Sequence, residues 1–311
     1  MPRSGHAEGM ELSKAFALGL VAVAAVGCRP ALSPTQTPEA VDVSPGPGVT
    51  ACWVESRARF GFTASALVVR HPDGDLLVDA GNSTNFTEEI QPYHGKQKRW
   101  LAVFPGSLKP HRPLADELQD VGVAPDTLRW VVPTHAHLDH LGGVLDLPPT
   151  PVLMDDAEAE VVEHGQHRAT FGVIPAHARA VAAHVEALPM VEEPYEVFDR
   201  HADLFGDGSV VVVPLPGHTP GSVGVFVRLT DGRRVFHLGD AVNDRTQVDA
   251  LRGKTPAMRD TDADRAQAER TVARLHSLHD QRPNLLMVPA HERDAWRDAF
   301  GKPAERCPAP T

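Results

Sequence analysis

A chain of 311 residues, 42% hydrophobic and 23% charged, can bury one large core or two modest ones and has the balance of an ordinary globular protein. These proportions exclude a fibrous or wholly disordered chain. A net charge of −11 argues against nucleic acid as a partner, because binding a phosphate backbone takes clustered Lys and Arg.

In chain order, residues 1–28 read as an export signal. Lys14 precedes an uncharged apolar run over 15–26 that is too short to cross a bilayer as a stable helix. It ends at Ala25-Val26-Gly27-Cys28, which resembles the lipobox of bacterial lipoproteins, where the cysteine carries the lipid. An ordinary secretory signal is the alternative. The expectation is a protein exported from the cytoplasm, periplasmic or anchored to a membrane through Cys28. Residues 29–49 contain Pro30, Pro34, Pro38, Pro45 and Pro47 and predict a disordered tether. That leaves 50–311 as the folded domain. Cys52 and Cys307 lie near its two ends, and either a bridge or two free thiols fits their spacing.

Within the domain, runs at 66–69 and 76–78 flank His71-Pro72-Asp73-Gly74 and predict a hairpin. Residues 81–112 show little periodicity and hold Pro92, Gly95, Pro105, Gly106 and Pro110, so they read as a long loop, in which 93–112 is expected to be a solvated crossover, with a lid that contacts substrate as the alternative. A short helix is expected over 114–121 behind Pro113. A strand over 129–132 runs into a histidine cluster, and a second strand lies at 152–154. Helices are expected over 155–164 and 175–187, with His164, His167, His177 and His184 facing solvent. Strands follow at 210–213, 223–229 and 234–238, with Asp231-Gly232 as a hairpin turn. Thr261-Asp262 is expected to cap a helix running to about residue 279, and a last strand covers 285–288. This alternation predicts an α/β or α+β domain with substantial sheet.

The chemistry concentrates at His135-Ala136-His137-Leu138-Asp139-His140, where four of six residues are potential metal ligands. Ligands this dense at a strand end cannot all face one ion. His135 and His137 point one way, and Asp139 and His140 toward a second position. Three further candidates each end a predicted strand: His218 within Pro216-Gly217-His218-Thr219-Pro220-Gly221, Asp240 after Gly239, and His291 after Pro289-Ala290. Ligands converging from several strand ends are how a rigid scaffold presents a metal site. Imidazole and carboxylate without thiolate suit two divalent ions, zinc foremost, with manganese or iron as alternatives.

These motifs, together with Asp79-Ala80-Gly81, resemble the metallo-β-lactamase superfamily across roughly residues 51–300. The ligand set is most similar to the acyl-homoserine lactonase and glyoxalase II branches. The resemblance implies an αβ/βα sandwich of two mixed sheets with helices outside. It also implies that His135, His137 and His218 hold one metal, that Asp139, His140 and His291 hold the other, and that Asp240 bridges them. Asp79 would orient a ligand histidine.

A metal-bridging hydroxide would then attack a carbonyl carbon, with Asp139 shuttling the proton. One fold hosts many reactions, so the family name does not settle the substrate. True β-lactamases of this fold usually lack an aspartate at the bridging position, and Asp240 turns the reading away from them. Acyl-homoserine lactonases commonly have tyrosine three residues beyond it, where this chain has Asn243. The expected reaction is hydrolysis of an ester, lactone or similar acyl bond in a small-molecule substrate. Phosphodiesterase or sulfatase-type hydrolysis is the alternative, and an iron-dependent sulfur dioxygenase-like reaction a second one.

Overall fold

A computed structural model describes residues 41, 44–59, 62–103, 108–164, 172–255 and 258–311. The segment read as an export signal, with Cys28, most of the expected tether and His167 lie outside them.

Strand β1 (Thr50–Arg59) pairs antiparallel with β2 (Phe62–Arg70), which turns at 71–74 into β3 (Leu76–Val78). Parallel strands β4 (Trp130–Val132), β5 (Val152–Met154) and β6 (Val185–Ala187) complete a mixed six-stranded sheet in sequential order. The second sheet holds β7 (Ala202–Asp203), β8 (Val210–Pro214), β9 (Val223–Arg228), β10 (Arg234–Gly239) and β11 (Leu285–Pro289). It is antiparallel except for the parallel pair β10–β11. The helices are α1 (Phe86–Glu89), α2 (Gly95–Val103), α3 (Leu114–Asp120), α4 (Leu138–Leu141), α5 (Asp156–His164), α6 (Pro175–Val181), α7 (Arg245–Asp249), α8 (Arg265–Gln281) and α9 (Arg293–Phe300).

Side chains alternate across a strand, and both faces of each sheet are apolar. Leu67 and Val69 of β2 therefore meet Val210 and Val212 of β8 in the central core. Their neighbours Ala66 and Val68 face outward, where α3, α5 and α6 contribute Leu118, Val161 and Val181. On the other side Val211, Phe226 and Phe236 pack under Val272, Leu275 and Leu278 of α8. The order helix, sheet, sheet, helix is the expected αβ/βα sandwich.

Several expectations are corrected. The long loop expected at 81–112 contains α1 and α2, and buries Phe86, Ile90 and Leu101 against Leu138 and Ile174. Helices this short give too few turns for an apolar stripe to register in the sequence. The expected helix over 175–187 stops at Val181, and Val185–Ala187 pairs with β5 instead, so sheet pairing overrides the local pattern. The cap of α8 is Asp264, which accepts the Gln267 N–H, rather than Thr261-Asp262. The tether does not extend to residue 49. Gly46 N–H donates to the Leu229 carbonyl, Arg228 donates to the Ser44 carbonyl, and Val49 is buried in the central core.

A disulfide joins Cys52 to Cys307, with Cα atoms 5.4 Å apart and a separation of 255 positions in sequence. It settles a pairing that spacing left open. Closing so long a loop restricts the unfolded chain, so reduction should lower stability by about 2–5 kcal/mol. Denaturant titrations with and without reductant check this.

Candidate metal centre

Strands β3, β4, β8, β10 and β11 all deliver functional residues from their carboxyl ends. β3 and β4 run parallel, as do β10 and β11, and β8 is two antiparallel steps from β10. Their ends therefore gather at one edge of the sandwich. The backbone turns sharply after β4, so that His137 precedes α4 while Asp139 and His140 lie on its first turn. His218 follows β8, Asp240 directly follows β10, and His291 lies between β11 and α9.

All seven residues singled out from sequence come together. Their potential ligand atoms form three overlapping trios: His135, His137 and His218; His135, His140 and Asp240; Asp139, His140 and His291. Nδ1 of His137 lies 3.0 Å from Nε2 of His218. Asp240 stands between the groups. Its Oδ2 is 3.5 Å from His218 Nε2, and its Oδ1 is 3.2 Å from His291 Nε2 and 3.4 Å from His140 Nε2. Asp139 Oδ2 is 3.5 Å from His291 Nε2.

The fit to cations is tested by unmet polar atoms. Nε2 of His135, Nε2 of His140 and Oδ1 of Asp240 are buried with no hydrogen-bond partner. A buried polar atom without a partner costs about 1–3 kcal/mol. Three such atoms converging on one point are what bound cations would satisfy. Chelation is therefore expected to lower the melting temperature. A divalent ion that binds only the folded chain adds about 2.7 kcal/mol to stability at a hundred times its Kd. Thermal melts with chelator and after zinc addition measure this.

Hydrogen bonds on the far side of each ring orient these lone pairs. His140 Nδ1 donates to Asp79 Oδ2 at 2.9 Å, which leaves Nε2 as the candidate ligand atom. Asp79 also accepts from His237 Nε2 at 3.1 Å and from the Thr134 N–H at 2.6 Å. It adopts φ of 58°, a left-handed conformation uncommon outside glycine, so its placement is imposed by these contacts. Burial alone would raise the Asp79 carboxyl, but His140 and His237 hold it well below the usual range. His291 Nδ1 donates to the Thr63 carbonyl at 2.8 Å. Burial would push its ring down, yet the Asp240 carboxylate outweighs this and raises it to about 9. His218 Nδ1 donates to Asp262 Oδ1 at 3.0 Å. That carboxylate, read from sequence as a helix cap, instead orients a candidate ligand histidine.

Glu158 on α5 has no local signal in the sequence, and it joins the two ligand loops. Its Oε1 accepts the Ala136 N–H at 2.7 Å, and its Oε2 accepts from Thr219 Oγ1 at 2.7 Å and the Gly221 N–H at 3.1 Å. Of the histidines expected to face solvent, His164 does so, His184 is half-buried and His177 is buried. His177 is held by Glu89 Oε2 at 2.8 Å, because the unexpected helix α1 covers it.

A sequence profile described as the metallo-β-lactamase superfamily matches residues 59–298. The chain is 25% identical over 231 residues to the N-acyl homoserine lactonase AttM of Rhizobium radiobacter, covering 74% of this chain and 81% of that one. It is 29% identical over 245 residues to the probable metallo-hydrolase Rv2300c of Mycobacterium tuberculosis, covering 74% and 75%. Among solved structures, an N-acyl homoserine lactone hydrolase with N-hexanoyl-L-homoserine at its catalytic metal centre superposes with a TM-score of 0.60. That match has 15% identity and covers 80% of this chain and 95% of that one, a likeness of fold.

Proposed function

This chain belongs to the metallo-β-lactamase superfamily and is a metal-dependent hydrolase, and we propose that it opens lactones or related acyl esters with two divalent ions, zinc foremost. The observation that carries the two-ion reading is Asp240, whose carboxylate turns one oxygen toward His218 and the other toward His140 and His291. His135, His137 and His218 would hold one ion, Asp139, His140 and His291 the other, and Asp240 would be shared. The likeness to lactonases named for acyl-homoserine lactones supports a small acyl substrate.

Two such ions would supply an acidified water as nucleophile and a Lewis acid for the carbonyl oxygen. The chain's own residues do the rest. Asp79, Asp262 and the Thr63 carbonyl hold Nδ1 of His140, His218 and His291, so each would offer Nε2 to an ion. Asp139 has the most open carboxylate of the site, with 17% of its side chain exposed against 10% for Asp240. It is the group placed to take the proton from water and return it to the leaving alkoxide.

The test is a hydrolysis screen of the zinc-loaded protein over lactones, aryl esters, phosphodiesters and β-lactams. Lactone or ester turnover is expected. Phosphodiester turnover alone would replace the acyl substrate, and oxygen consumption with a single iron would overturn the hydrolase.

An exported location accompanies this proposal. The Cys52–Cys307 disulfide supports it, since such bonds persist in oxidising compartments. Anchoring through Cys28 predicts that Cys28→Ser releases the protein from the membrane fraction; unchanged partition would refute the anchor.

A further inference from the structure

Lys254 is buried beside the candidate centre, with 3% of its side chain exposed. Its Nζ lies 2.6 Å from Oδ1 of Asp262 and 3.1 Å from Nδ1 of His218. The same Asp262 oxygen is 3.0 Å from His218 Nδ1, so ammonium and imidazole share one acceptor. On the other side of the ring, His218 Nε2 faces His137 and Asp240. The ammonium therefore stands one imidazole width from the point where the His135, His137 and His218 trio converges.

A carboxylate behind a ligand histidine fixes its tautomer and makes it a stronger donor. A lysine on the same oxygen draws off part of that charge and adds a cation's repulsion toward a metal ion. Among the described residues no lysine or arginine stands behind the second trio, where the donor that shares the Asp79 oxygen with His140 is a histidine, His237. There Asp79 accepts from two histidines and the Thr134 backbone, and Asp139 adds a carboxylate of its own.

We propose that Lys254 is a positioning residue that makes the two ion sites unequal, holding Asp262 in place while weakening the three-histidine site. This rests on the two-ion reading. The Asp139, His140 and His291 site then fills first, and the three-histidine site is the exchangeable one. A burial this deep also ties the segment after α7 to the start of α8. Stability and metal affinity should therefore respond to its loss in opposite directions.

Zinc uptake by the full chain, followed by competition with a chromophoric chelator, should resolve two unequal steps. Lys254→Met removes the charge and keeps an apolar stem. The weaker step is expected to tighten roughly tenfold, while the melting temperature of the metal-free protein falls. Lys254→Gln keeps a donor toward Asp262 without the charge. It should tighten the same step and so decides the question if the Met variant does not fold. Asp262→Asn should weaken that step by about 10–100-fold. A weaker step left unchanged or weakened by both neutral variants would overturn the role of Lys254 and leave the two-ion reading standing. A wild-type protein that takes up no zinc would overturn both.

Discussion

On the proposed two-ion reading, replacing Asp240 by Asn should reduce kcat/KM by more than about 100-fold and lower the zinc content of the zinc-loaded protein from two ions toward one. Loss of an outer-sphere partner alone costs about 10–100-fold, and Asp240 is placed closer than that. The argument is geometric. The Asp240 oxygens face Nε2 of His218 to one side and Nε2 of His140 and His291 to the other, at 3.2–3.5 Å. Asparagine has nearly the same shape, so the fold should survive. Its carbonyl can still serve one side, but its amide then donates a hydrogen bond into the imidazole pair that a second ion needs. The measurements are steady-state kinetics on the substrate found in the screen and metal analysis of the dialysed protein. Equal rates and equal zinc in both proteins would sink the two-ion mechanism.

That Asp240 could be singled out from sequence at all follows from where it sits. The ligands at 135–140 lie within one turn, His218 and His291 each follow a strand with a continuous apolar run, and Asp240 follows one broken only by the buried His237. Such local signals survive without coordinates. The hairpin from β2 to β3, the Asp231-Gly232 turn and the start of α3 behind Pro113 were legible for the same reason. Contacts between distant segments were not. The sixth strand depends on pairing with β5, and α1 depends on Phe86 and Ile90 finding Leu138 and Ile174. Asp262 stands three residues before α8, where a capping role is the natural sequence reading, and only the tertiary position of His218 reveals its partner. Lys254 and Glu158 carry no motif, because their partners are adjacent in space and not in sequence.

Glu158→Gln should weaken zinc binding at the three-histidine site by about 10–100-fold and destabilise the protein by about 1–3 kcal/mol, although it changes one atom. Glu158 is 1% exposed and receives three donors: the N–H between His135 and His137, the hydroxyl of the residue after His218, and the N–H of Gly221. A single carboxylate thus sets the spacing between two loops that together carry all three histidines. The approach is close as well as bonded, since a Cβ on Gly221 would lie 2.2 Å from the Glu158 nitrogen. Burial pushes the Glu158 carboxyl up to about 7, against the pull of its three donors. Ionised, it is an acceptor at both oxygens. A glutamine must point its amide at Ala136 or at Thr219 and Gly221, setting donor against donor and leaving at least one buried N–H unmet. The histidines themselves remain, so excess zinc should restore most of the activity of Glu158→Gln and little of that of Asp240→Asn. Rescue separates a displaced site from a dismantled one. A Gln variant with unchanged zinc affinity and melting temperature would show that the loops hold their spacing without this clamp.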